Sequence, residues 1–228
     1  LTNAQDVTAL SPGVSTIQPN GEANYAVGIR GVANNDFTSN VESPVAIYVD
    51  ETYISQMSGA GFLLFDIDRV EILRGPQGTL FGRNATGGLV HYVTAKPTTE
   101  DVNGYGSLTY GSFNRVKAQG AVNLPLSEAL SARLSLATHQ GGGYVENRLA
   151  PDRELNNANE TAGRIQLRYQ PNDQFDLLLN GRIGRQDIRT GFFEYASAIL
   201  PTGDYTPGVP NPDLGGYVDT DNDRYAGD

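Results

Sequence analysis

From Val102 onward the chain alternates apolar and polar residues with a period of two, in blocks long enough to exclude most other architectures. Val116, Ala118, Gly120, Val122 and Leu124 alternate with Arg115, Lys117, Gln119, Ala121 and Asn123. Leu130, Ala132, Leu134 and Leu136 alternate with Ser131, Arg133, Ser135 and Ala137. Gly163, Ile165, Leu167 and Tyr169 alternate with Arg164, Gln166, Arg168 and Gln170, and Phe175, Leu177, Leu179, Gly181 and Ile183 repeat the pattern. With Val102 to Ser112 this predicts five antiparallel strands. Successive side chains on a strand point to opposite faces, so each block carries one apolar and one polar face. Each is about ten residues long, the length of a tilted strand crossing a bilayer.

The connections are asymmetric. Leu124 to Glu128 and Pro171 to Gln174 are tight turns, whereas Gly141 to Glu160 and the stretch from Ile188 onward are long and polar. Short turns alternating with long loops fit an outer-membrane barrel, with Gly111 to Asn114 the one short loop on the long side. A soluble sheet with one wet face gives the same period, and that alternative stays open on periodicity alone. Five strands cannot close a barrel, and an open edge in hydrocarbon leaves unpaired backbone groups. The sheet is therefore either soluble or continued elsewhere, with the chain expected to stop inside a loop. Its start at Leu1, with no leader pattern, reads as a mature or truncated piece.

Composition removes other classes. With 16 basic and 26 acidic residues the net charge is −10, a poor match to nucleic acid. The absence of cysteine excludes disulfides and thiolate metal sites, and two histidines, His91 and His139, leave little for a multi-histidine centre. No cofactor is expected. No apolar run approaches the length of a membrane helix.

Residues 1–96 read as a small α/β domain with short strands at Ala26 to Val32, Val45 to Val49, Val70 to Leu73 and Leu89 to Val93. Asn3 is placed to cap a helix over Ala4 to Leu10, Gly59 to Asp66 is expected to make a helical turn, and Gly75-Pro76-Gln77-Gly78 to make a type I turn.

The segment Leu64 to Thr94, LFDIDRVEILRGPQGTLFGRNATGGLVHYVT, resembles the plug domain of TonB-dependent outer-membrane receptors, as do Gly28 to Gly31 and Pro44 to Ile54. The resemblance implies a plug over 1–96 seated in a barrel of about 22 strands, of which 97–228 supply the first five. It also implies import of a scarce nutrient, by base rate a ferric siderophore, with energy from the proton gradient through TonB, ExbB and ExbD. Partners would then be that small-molecule ligand, TonB, outer-membrane lipid and lipopolysaccharide, and the chain would not be an enzyme. Glu51 departs from the family's usual Gly, Leu89-Val90-His91 replaces a more usual Ala-Ile-Asn, and no TonB box is visible.

Within this frame Arg69, Glu71, Arg74 and Arg83 are the expected latch between plug and barrel, with partners partly on strands outside this chain. Asp66 and Asp68 share a strand face and so resemble an acid/base pair, but the adjacent arginines favour an ion network. Arg115, Lys117, Arg133, Arg164, Arg168 and Arg182 share the inward parity and are expected to contact plug and water. The resemblance places ligand contacts in the loops after Arg30 and Ile54, at Asn34, Asn35, Phe37, Ser55, Gln56 and Met57. Asp219, Asp221 and Asp223 echo a calcium loop, but Arg224 occupies the position that needs glycine. His91 is expected to be a satisfied interior residue. Two other readings stay open: a soluble plug-like binding or signalling module, and a hydrolase using Asp66, Asp68 or Asp50 with Glu51.

Overall fold

The computed structural model describes residues 6, 11–17, 25–34, 42–55, 62–147 and 153–189, with the strand segments 197–199, 205–207 and 226–227. The expected Ala4 to Leu10 helix and the Asp219 to Asp223 run lie outside the described residues.

The first unit is a four-stranded mixed sheet in the order β4-β3-β6-β5, formed by β3 (Val45–Val49), β4 (Thr52–Ile54), β5 (Ile67–Arg74) and β6 (Gly88–Thr94). Its parallel central pair is β3 and β6. Both are almost continuously buried, as their unbroken apolar runs require. An antiparallel pair, β1 (Val14–Ile17) and β2 (Ala26–Ile29), packs Val27 and Ile29 into the same core as Val90 and Tyr92. Strand β2 stops three residues short of the predicted Val32, because Arg30 (φ 52°) and Gly31 (φ 81°) reverse the chain and Ile29 and Val32 bond each other.

Two local expectations change. Residues 62–65 are not helical, residues 59–61 lying outside the described ones: Phe62 and Leu64 turn into the core of the first unit while Leu63 and Phe65 turn outward against Ala137 and Ala162. A segment that must serve two partners on opposite sides needs a period of two. Residues 75–87 are closed by Gly75 N–H to the Gly87 carbonyl and Gln77 N–H to the Ala85 carbonyl, with a single helical turn α1 (Gly78–Phe81) between.

The second unit is the five-stranded sheet β12-β11-β9-β8-β7, antiparallel throughout. Its strands are β7 (Asn103–Gly111), β8 (Arg115–Pro125), β9 (Leu130–Gly141), β11 (Ala158–Asn172) and β12 (Phe175–Gln186). A two-residue strand β10 (Glu146–Asn147) lies in the β9–β11 connection. The two predicted turns are formed, Ser127 Oγ accepting from the Leu130 N–H in one and Asn172 Oδ1 from the Gln174 N–H in the other. Beyond β12, β13 (Ser197–Ile199) pairs β14 (Tyr205–Pro207), and β15 (Ala226–Gly227) pairs β10.

The faces of this sheet are inverted relative to a water-soluble one. Leu134, Leu136, Ile165, Leu179 and Ile183 are exposed, whereas Asn123, Ser131, Arg164 and Gln166 are 3% exposed or less. Isolated surface leucines need no explanation, but exposed apolar side chains recurring at alternate positions across five paired strands form one face that calls for an apolar partner. Among the described residues no helix is long and apolar enough to cross a membrane.

Candidate functional site: the seam between plug and wall

Strand register arranges the buried face in transverse rows. One runs Asn123, Arg133, Gln166, Asn180; the next Ala121, Ser135, Arg164, Arg182; the next Gln119, Ala137, Ala162, Gly184; and the next Lys117, His139, Glu160, Gln186. The row of small residues lies between polar ones, and Leu63 and Phe65 of the plug pack onto Ala137 and Ala162 there. The plug is thus seated by two apolar side chains and held by the two polar rows on one side of them, those of Ser135, Arg164 and Arg182 and of Arg133, Gln166 and Asn180.

The strongest node is Asp66. Arg133 Nε donates to its Oδ2 at 2.7 Å and Arg133 Nη2 to Oδ1, a bidentate fork. Ser135 Oγ donates to Oδ2, and Arg164 Nη2 donates both to Oδ2 and to the Asp66 carbonyl at 2.9 Å. The carboxylate is fully enclosed by donors from two wall strands. Burial pushes the Asp66 carboxyl up, but the Arg133 and Ser135 hydrogen bonds and the charges of Arg133 and Arg164 outweigh it, leaving it below its ordinary value. Asp66 has φ 51°, a left-handed conformation that aims its side chain at the wall as β5 begins.

Two arginines on one carboxylate, with Arg182 opposite Arg164 in the same row, leave positive charge that aromatic faces take up. Arg182 lies over the Phe62 ring at 4.7 Å and donates to the Leu63 carbonyl, and Arg164 lies over Phe65 at 5.0 Å.

Asp50 (φ 50°) forms a second node at the end of β3. Its carboxylate accepts from the Thr94 N–H at 2.8 Å, from Thr94 Oγ1 and, across the seam, from Asn180 Nδ2 at 3.1 Å. Gln166 Nε2 reaches Thr94 Oγ1 at 3.1 Å. A third contact follows the plug, where Asn123 exchanges hydrogen bonds with the Thr98 backbone.

The residues expected to form the latch hold the plug together from within. Arg69 pairs with Asp68 and Glu71 at the surface, Arg74 donates to Ser11 Oγ and the Pro12 carbonyl, and Arg83 pairs with Glu42. The described contacts that cross to the five wall strands use Asp50, Asp66 and Thr94, together with Phe62, Leu63 and Phe65. Of the inward-parity cations, Arg133, Arg164, Arg168 and Arg182 touch plug or linker atoms, Arg168 weakly at Pro97. Parity therefore identified the donors, while the left-handed turn that delivers Asp66 left no sequence signal.

Asn34 is half-buried after the Arg30–Gly31 reversal and Ser55 is exposed after β4. Asn35, Phe37, Gln56 and Met57 lie outside the described residues. Asp66 is clamped, Asp68 is ion-paired and Asp50 is bonded to Thr94, so these three carboxylates are occupied by structural partners. Among the described residues no cluster of His, Cys, Asp and Glu could hold a metal ion.

A small α/β domain clamped to the polar face of an antiparallel sheet whose other face is leucine-rich has the architecture of a plugged membrane-barrel wall. Residues 1–89 match the family model described as TonB-dependent Receptor Plug Domain. The chain is 31% identical over 153 residues to the pesticin receptor of Yersinia pestis, covering 65% of this chain and 22% of that protein. The ferric yersiniabactin uptake receptor FyuA of Yersinia pestis superposes with a TM-score of 0.69 at 24% identity, over 80% of this chain and 29% of that one. The ferripyoverdine receptor of the outer membrane of Pseudomonas aeruginosa gives 0.69 at 19% identity, over 92% and 27%. Residues 1–89 therefore belong to the plug-domain family of TonB-dependent receptors. The chain spans about a fifth of the length of the curated relatives it matches first.

Proposed function

We propose that residues 1–96 are the plug and 97–228 the first wall strands of an outer-membrane receptor that imports a scarce nutrient, a ferric siderophore in the first instance. The observation that carries this reading is the inversion of the sheet. The polar face is buried on a plug through Asp66, Arg133 and Arg164, and the apolar face is turned outward, where bilayer lipid and lipopolysaccharide would cover it. The siderophore class is supported by the names of two structural relatives, a ferric yersiniabactin uptake receptor and a ferripyoverdine receptor.

The geometry suits a plug that must open. A seam of discrete hydrogen bonds and ion pairs holds a closed state, and once one contact breaks, water can solvate the separated groups. Energy would come from TonB, with ExbB and ExbD, acting on the N-terminal side of the plug. The ligand would meet the loops carrying Asn34, Asn35, Phe37, Ser55, Gln56 and Met57, and leave chemically unchanged, so the protein is read as a transporter and not an enzyme. Arg69, Glu71, Arg74 and Arg83 remain proposed latch residues toward wall strands beyond these five. The test is uptake of a radiolabelled ferric siderophore panel by iron-starved cells with and without the gene, repeated in a strain lacking TonB. Gene- and TonB-dependent uptake of one member supports the reading, and outer-membrane localisation without uptake of any would overturn the siderophore assignment.

A further inference from the structure

His91 stands mid-strand in β6, opposite Tyr48 of β3 and Glu71 of β5. Its Nε2 is 2.7 Å from the Asp50 carbonyl oxygen and its Nδ1 is 3.2 Å from Glu71 Oε2. A backbone carbonyl can only accept a hydrogen bond. Glu71 is an acceptor as well, because the Arg69 hydrogen bond at 2.6 Å holds its carboxyl below the ordinary range. An imidazole between two acceptors satisfies both only with a proton on each ring nitrogen, and either neutral tautomer leaves one pair of facing lone pairs.

The groups around His91 are few. Strand β5 presents Glu71 with Arg69 beyond it, and β3 presents the Tyr48 ring edge-on at 6.3 Å. The turn presents the Asp50 carbonyl, its carboxylate being directed to Thr94 and Asn180. His91 therefore links the Arg69–Glu71 pair to the residue that makes the second contact with the wall.

We propose that His91 is a positioning residue which, as an imidazolium, braces the left-handed Asp50 turn against β5 and so holds the Asp50 carboxylate within reach of Asn180. With a single ring N–H only one of the two acceptors is met, and the tie between the Asp50 turn and β5 is broken. This inference needs the plug–wall contact and is independent of what the receptor carries.

The test compares the receptor with its His91→Gln variant, whose amide nitrogen stands near the Nε2 position and can donate to the Asp50 carbonyl but which offers no second donor to Glu71. Hydrogen exchange of residues 50–54 is measured for both proteins in detergent, and exchange in the parent is expected to be slower by on the order of tenfold. Nitrogen-15 spectra of the histidines, with His91 assigned by the loss of its signals in the variant, should show a proton on both ring nitrogens. Equal exchange in the two proteins, or a His91 with a single ring N–H, would overturn the proposal. The spectra of the parent protein decide the matter even where the variant folds poorly.

Discussion

Arg164 Nη2 donates to both the carboxylate and the main-chain carbonyl of Asp66, at 2.9 Å each. Two residues 98 positions apart in sequence are thereby fixed to one another through side chain and backbone. The contact reads the local conformation of the plug as well as its charge, because the left-handed Asp66 presents its carboxylate and its carbonyl to one guanidinium nitrogen.

Asp66→Asn leaves Arg133 and Arg164 buried without a counter-charge. The expected cost is about 3–5 kcal/mol in plug–wall stability, since removing one partner of a buried pair strands the other. Limited proteolysis of the plug in purified receptor, followed against denaturant, measures it. Asp68→Asn removes only an exposed pair and should change the midpoint by less than about 1 kcal/mol.

The same node sets a pH dependence. The Asp66 carboxyl is held below its ordinary 3.8 in the folded protein, so its contribution is complete above that value and disappears as pH falls through the folded value. The stability difference between the parent and Asp66→Asn should be constant from neutral pH to about 5 and shrink below about 4. Denaturant midpoints at a series of acid pH values test the sign.

Ala162 and Ala137 form the floor on which Leu63 and Phe65 rest. Ala162→Leu should cost about 1–3 kcal/mol by overpacking, with the loss appearing as plug release while membrane insertion of the strands stays intact. Plug protease sensitivity and heat-modifiable gel mobility of the barrel separate the two effects.

Leu167 is on the outward face, opposite Leu179 and Ala132. Leu167→Arg should cost about 2–4 kcal/mol if the position lies near the bilayer midplane, and the yield of assembled receptor in outer-membrane fractions should fall accordingly. An Arg one residue away, at Gln166, faces the plug instead and should leave assembly intact while disturbing Thr94.

The wall was legible in sequence because its signal is periodic. Alternation from Val102 to Ile183 marks the five strands, the turn positions and the inward parity of Arg133, Arg164 and Arg182 without any tertiary information. The plug was legible in its central strands, where apolar runs such as Val45 to Val49 mark burial on both sides. The seam was not, for two physical reasons. Asp66 and Asp50 reach the wall from left-handed backbone conformations, which aspartate adopts without any marker beside it. The expected helical turn over Gly59 to Asp66 is absent at residues 62–65 because Leu63 and Phe65 have a partner that lies some 70 to 100 residues away in the chain. Charge density drew attention to Arg69, Glu71, Arg74 and Arg83, and their bonds in this structure stay inside the plug.

The central claim is that one face of the five-stranded sheet meets lipid and the other meets the plug. Spin labels placed singly at Leu134, Leu136, Ile165 and Leu167, and at Ser131, Ser135 and Gln166, test it in reconstituted receptor by collision with oxygen and with a water-soluble nickel chelate. The outward set should be mobile, accessible to oxygen and shielded from nickel, and the inward set immobile and shielded from oxygen. Nickel access to the leucine positions, or no alternation between the two sets, would contradict the account.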